Sequence, residues 1–246
     1  MRLDGRIAAV TGAELPLARG LALALGKAGA AVALFGDVQA LASVVRELES
    51  ADVRAAAIDA SWDSREAADE ALVVAAESVG QVDVLVHASV PEIAFEHCDF
   101  VDVDDERFET IWEGSLRGTM FLLQAAYPYL RDRSGSVILV VPTIAMSGAA
   151  RLVTYTVVEE AQRVLIKAVA RQWGPDGITL NCLAVAPEQV PIGIESTSVS
   201  LAPPALGGRG EPEHDLGPVA VFLASDAAAF VTGATIGADG GIWMAP

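Results

Sequence analysis

The stretch Thr11-Gly12-Ala13-Glu14-Leu15-Pro16-Leu17-Ala18 follows an apolar run and opens a Leu- and Ala-rich helical pattern. A strand that turns tightly into a helix aims the first backbone N–H groups of that helix at one point, which suits a pyrophosphate. The turn can equally be a plain helix start. Gly36-Asp37 closes the next apolar run. A carboxylate there can accept from a ribose 2′-hydroxyl and repel a 2′-phosphate, favouring NAD over NADP, or it can cap the following helix. His87 ends a further apolar run and reads better as a packed strand-end histidine than as a catalyst. Cys98 and Cys182 are the two cysteines. They fit neither a disulfide framework nor a zinc site, and no metal is expected.

These residues need a frame, and the pattern along the chain supplies one. Arg6–Thr11, Ala30–Phe35, Val53–Ile58, Asp83–His87, Ser136–Val141 and Ile178–Ala184 read as strands, and Ala234–Ile236 begins a last one. Leu15–Ala28, Val38–Glu49, Ser64–Val79, Asp104–Leu130, Leu152–Trp173 and Leu216–Leu223 carry helical patterns between them. Such alternation predicts an α/β fold: one Rossmann-type, doubly wound parallel sheet with helices on both faces. Pro191–His214 lacks periodicity. Too little chain follows it for a second core, so it reads as a surface loop, and residues 1–246 read as a single domain.

Composition narrows the function. The 246 residues are 52% hydrophobic and 20% charged, which excludes disorder. There are 16 basic and 33 acidic residues, a net charge of −17. That balance argues against nucleic acid and against an anionic membrane as partners. The start of the chain lacks a signal-peptide pattern, and no apolar run is long enough to span a bilayer. A cytoplasmic protein is the expectation. Lys27 and Lys167 are the only lysines, and Asn181 is the only asparagine.

The ordered motifs resemble those of the short-chain dehydrogenase/reductase family over essentially the whole chain. Thr11-Gly12-Ala13 and Gly29-Ala30-Ala31-Val32 look like its opening. Asp59 stands where the family has an adenine-contacting Asp. Asp83-Val84-Leu85-Val86, Asn181-Cys182-Leu183-Ala184, Phe222-Leu223-Ala224-Ser225-Asp226, Thr232-Gly233 and Asp239-Gly240-Gly241 continue the likeness. The resemblance implies NAD(P)-dependent oxidoreduction of an alcohol or ketone by an Asn, Ser, Tyr and Lys set.

The fold signature is present in these residues, whereas the chemical one departs. The family's later loop glycines align with Pro16 and Ala18, and Glu14 adds a charge. Of the catalytic set only Tyr155 is retained. Ser115 holds the Asn position, Pro142 the Ser position with Thr143 beside it, and Glu159 the Lys position. A carboxylate near a tyrosine raises its pKa, where a lysine lowers it. Lys167 lies twelve residues beyond Tyr155, about 18 Å along a helix at 1.5 Å per residue.

The reading is a non-catalytic subunit of a hetero-oligomeric NAD-dependent alcohol or hydroxyacyl dehydrogenase or ketoreductase. An intact family member would be its partner, in a tetramer. Gly12, Asp37 and Asp59 would be vestigial contacts, no cofactor would be held tightly by this chain, and NAD would sit in the partner. The alternatives are an active oxidoreductase with an atypical site on Tyr155, and a ligand-binding or sensor protein on the same fold. The resemblance also places subunit contacts on the long helices Asp104–Leu130 and Leu152–Trp173 and on the C-terminal segment Thr232–Met244. In the first of these, Ile111, Leu116, Met120, Leu123, Ala126 and Tyr127 cannot all face the sheet if the helix is regular.

Overall fold

The strand Ser136–Pro142, Ser-Val-Ile-Leu-Val-Val-Pro, is buried along its whole length. Its Val137, Leu139 and Val141 face one apolar core and its Ile138 and Val140 the other. A strand covered on both sides has no polar face to alternate, which explains its unbroken apolar sequence. The computed structural model describes residues 1–193 and 202–244. Its strands are β1 (Ile7–Thr11), β2 (Ala31–Phe35), β3 (Ala55–Ile58), β4 (Val84–His87), β5 (Ser136–Pro142), β6 (Thr179–Val185) and β7 (Thr235–Ala238). They form one parallel sheet in the order β3-β2-β1-β4-β5-β6-β7.

The helices are α1 (Pro16–Lys27), α2 (Val38–Ser50), α3 (Arg65–Ser78), α4 (Asp105–Trp112), α5 (Gly118–Leu130), α6 (Ile144–Ser147), α7 (Val153–Trp173) and α8 (Gly217–Leu223). Side chains of α1, α2 and α8 fill the core on one face, and those of α3, α5 and α7 the core on the other. Local chemistry starts several of them. Asp37, Ser64 and Asp104 accept from the backbone N–H of Ala40, Ala67 and Arg107 at 2.8, 3.1 and 2.8 Å. The expected doubly wound sheet is therefore present. Strand order reverses between β1 and β4, which opens a crevice at their carboxyl ends.

Two expectations need correcting. Asp104–Leu130 is not one regular helix. It is α4, a π-helical turn over Glu113–Arg117, and α5. The wider turn rotates α5 relative to α4 and frees carbonyls for side chains. Ile111, Leu123 and Ala126 are buried, while Met120 is exposed. Within Pro191–His214, residues 194–201 lie outside the described residues. The end of that stretch is not loop: Pro212–Leu216 forms a π-helical turn that runs into α8. Lys27 pairs with Glu213 at 2.5 Å and fastens this turn to α1.

A third, smaller apolar cluster joins the 3-10 turn Glu92–Phe95, α4, α7 and Ile192. It contains Tyr155. Among the described residues no helix is long and apolar enough to cross a membrane.

Candidate functional site

The crevice begins at the β1–α1 turn. Gly12 has φ +75°, and a Cβ there would stand 2.8 Å from the Ala88 carbonyl oxygen. Only glycine suits that backbone and that approach. Pro16 is the first residue of α1, and Leu15 supplies no side-chain cap. Proline removes one N–H from the helix start and leaves Leu17 and Ala18 as its first-turn donors. Glu14 reaches across to β2: a Cβ on Gly36 would meet its Oε1 at 1.8 Å. Asp37 spends one carboxylate oxygen on the cap of α2, so the capping alternative is realised. Asp59 is exposed directly after β3. A pyrophosphate here would meet the Glu14 carboxylate and a loop one donor short, while Asp37 keeps an oxygen free to accept from a ribose hydroxyl.

His87, at the end of β4, is buried and fully bonded. Its Nδ1 lies 2.8 Å from Thr11 Oγ1 and its Nε2 2.9 Å from Thr119 Oγ1. Thr119 Oγ1 donates to the Ser115 carbonyl at 2.8 Å, so it must accept from His87. Nε2 therefore carries the proton, and Nδ1 accepts from Thr11. Thr11 Oγ1 in turn accepts from the Ala88 N–H at 3.1 Å. The chain of donors is consistent throughout. Burial lowers the His87 pKa to about 4. This histidine is a neutral structural link rather than a proton donor to substrate.

Tyr155 and Glu159 lie one turn apart on α7, and each is 2% exposed. Tyr155 packs against Phe95, ring centroids 5.7 Å apart. Burial drives the Tyr155 pKa well above its ordinary value, and the Glu159 carboxylate adds to the rise. Burial, with the Glu160 charge, lifts Glu159 to about 8. Glu159 Oε2 has no hydrogen-bond partner. Ser115 lies in the π-helical turn with its hydroxyl buried and unpartnered. Pro142 ends β5 and offers no hydroxyl, and the Thr143 hydroxyl beside it is also buried without a partner.

A cavity of about 20 Å³ sits among these groups, lined by Gly12, Leu17, Ala18, His87, Tyr155, Glu159, Gln162 and the apolar ends of β5 and β6. That volume holds about one water. The fold thus brings Gly12, Pro142, Tyr155 and Glu159 to one place, while Asp37 and Asp59 stay at the ends of β2 and β3. Lys27 is paired with Glu213, and Lys167 is exposed on α7. Asn181 ties β6 to the C-terminal segment through Val231 and Ala234.

Sequence reasoning missed Gln162. Its Nε2 donates to Thr119 Oγ1 at 2.7 Å and to the Ser115 carbonyl at 3.1 Å. The signal was there: a polar residue seven after Tyr155 and three after Glu159 shares their helix face.

The sheet, the crevice and the placing of Tyr155 on α7 define a dinucleotide-fold protein of the oxidoreductase type. The chain belongs to the short-chain dehydrogenase/reductase family: a family model described as enoyl-(acyl carrier protein) reductase matches residues 12–243. It is 32% identical to an L-rhamnose 1-dehydrogenase (NAD(P)(+)) of Sphingomonas sp. (strain SKA58), covering 98% of each chain. It is 30% identical to a versicolorin reductase of Emericella nidulans, covering 98% of this chain and 96% of that one. A solved dehydrogenase/reductase from Sinorhizobium meliloti 1021 superposes with a TM-score of 0.86 at 27% identity, over 99% of this chain and 97% of the other.

Proposed function

We propose that this chain serves an NAD-dependent oxidoreductase acting on an alcohol, a ketone or a hydroxyacyl group, and that its own share is non-catalytic. In this reading it completes a hetero-oligomer, of four chains, around an intact family member that binds NAD. The supporting observation is Glu159. It stands beside a buried Tyr155 where the resemblance calls for a lysine, and it adds to the rise that burial gives the tyrosine pKa instead of opposing it. A general acid–base group works best with a pKa near the operating pH, and Tyr155 is moved away from it. The Glu14 carboxylate and the donor lost at Pro16 support weak NAD binding.

The relatives favour a second reading over this one. They are named as reductases and dehydrogenases, which supports an active oxidoreductase with an atypical site on Tyr155. Glu159, with its pKa near 8, gives that reading a group in the right range for proton transfer.

One experiment separates the two. The chain is purified alone and after co-expression with an intact family member from the same source. NAD binding is read by calorimetry and turnover on a panel of alcohols and ketones. The subunit reading expects no turnover by the chain alone, NAD binding at least ~10-fold weaker than the partner's for the lost donor, and a mixed particle. Turnover by the chain alone that Tyr155→Phe abolishes would establish the second reading and reject the first.

A further inference from the structure

The crevice is shut. The space left against Tyr155 and Glu159 is about 20 Å³, room for one water. Small-molecule sites run to roughly 300–1,000 Å³. In this conformation nothing larger than water reaches Tyr155, whether the chain acts as a subunit or as an enzyme.

The chain after β4 closes it. Val90 and Phe95 line the space, and the Phe95 ring packs on Tyr155 with centroids 5.7 Å apart. Val90, Ile93 and Phe95 are the half-buried outer members of the third apolar cluster. The remaining walls are strand ends, the start of α1 and α7, all anchored in the two main cores. Val190 follows the 3-10 turn Pro187–Gln189, and Gln189 fixes that turn by donating to the carbonyls of Arg209 and Gly210 at 2.7 Å each. The movable wall is therefore the one that carries Phe95.

That wall is lightly built. Between β4 and α4 the chain forms only the 3-10 turns Glu92–Phe95 and Phe100–Asp102, and such short turns have little stability of their own. Two ties fasten its far side. His97 Nε2 donates to the Ile192 carbonyl at 2.7 Å. Asp99 pairs with Arg151 at 3.0 Å, and the Cys98 N–H donates to the Arg151 carbonyl at 2.8 Å. The ion pair is weak, because its side chains are 63% and 48% exposed. Arg151 also sits at φ +67°, a backbone that is costly for a residue with a Cβ. Arg107 on α4 holds the carbonyls of Ile93 and Glu96, through a side chain long enough to follow them.

We propose that residues 90–99 form a self-inhibitory plug, with Phe95 as the stopper and the His97–Ile192 and Asp99–Arg151 ties as the latch. Release of the latch swings Phe95 away from Tyr155 and opens the crevice to a ligand. It breaks one hydrogen bond to a carbonyl and one exposed ion pair, uncovers a phenyl ring, and frees Arg151 from its strained backbone. Any ligand of the crevice must displace the plug.

The test uses the whole chain. In native-state hydrogen exchange the Glu96 and Cys98 amides should exchange faster than those of β5, at rates that low urea leaves unchanged, because a local opening exposes little surface. Exchange in β5 should rise with urea. Hydroxyl-radical labelling of Tyr155, read by mass spectrometry, should be slight in the native chain. It should rise about 10-fold when His97→Phe and Asp99→Asn remove both ties, and it should rise in Phe95→Ala, which removes the stopper itself. Leu41→Ala weakens packing in the core on the far face of the sheet and should leave the labelling unchanged. Glu96 and Cys98 amides that exchange only together with β5 would overturn the proposal. So would Tyr155 labelling that the plug variants leave unchanged, or that Leu41→Ala raises equally.

Discussion

Gln162 Nε2 donates to Thr119 Oγ1 at 2.7 Å, and through that one hydroxyl α7 is tied to α5 and to β4. The same hydroxyl donates to the Ser115 carbonyl in the π-helical turn. The interior behind Tyr155 is thus a polar network that joins β1, β4, the π-helical turn, α5 and α7.

Thr119→Val should therefore be costly. It strands one N–H of the Gln162 amide and the His87 Nε2–H in a buried site. A loss of about 2–4 kcal/mol is expected from two unsatisfied donors, read by urea denaturation at pH 7.

His87 makes the fold acid-sensitive. Its pKa is about 4 when folded and roughly 6.5 when unfolded. A lowered folded pKa means the stability it carries is complete above the unfolded value and is lost as pH falls from about 6.5 towards 4. His87→Gln should be less stable at pH 7 but should show a flatter decline between pH 6.5 and 4. Equal slopes in the two proteins would assign the acid sensitivity elsewhere.

Glu159 works in the opposite direction. Its folded pKa of about 8 lies above the model carboxyl value of 4.5. Stability is complete below the unfolded value and is lost as pH rises through 8. Glu159→Gln should remove most of that decline. The variant should gain on the native chain from about pH 5 to pH 8, by at most about 1.4 kcal/mol per pH unit, and level off above that. Denaturation midpoints measured across that range check it.

The nucleotide end can be relieved. Glu14→Ala withdraws the carboxylate that lies against Gly36, and Pro16→Gly returns a backbone donor to the start of α1. The double variant should bind NAD about 10-fold more tightly than the native chain by calorimetry. Pro142→Ser with Glu159→Lys, leaving Glu14 and Pro16 in place, should still give no turnover.

The sheet was readable because its information is local. Val137 to Val141 is apolar without a break, and Asp37, Ser64 and Asp104 announce the helices they cap. Gly12 and Asp239-Gly240-Gly241 marked the turns. The bonding of the site was less readable because its partners are distant in sequence. Thr11 and His87 are 76 residues apart and Thr119 and Gln162 are 43 apart. No spacing rule joins them before the strands are laid side by side. The π-helical turn was missed for another reason: the amphipathic pattern of Asp104–Leu130 averages over one extra residue in a turn.

The close packing of Gly12 on the Ala88 carbonyl separates ancestry from use. A side chain at Gly12 would collide with the backbone after β4 whether or not a nucleotide ever enters the crevice. Selection on shape alone would hold this glycine in place through any loss of chemistry. Its presence in a chain of this lineage therefore dates the scaffold and says nothing about what the scaffold now carries, whereas the sheet leaves Glu14, Pro16 and Glu159 free to vary.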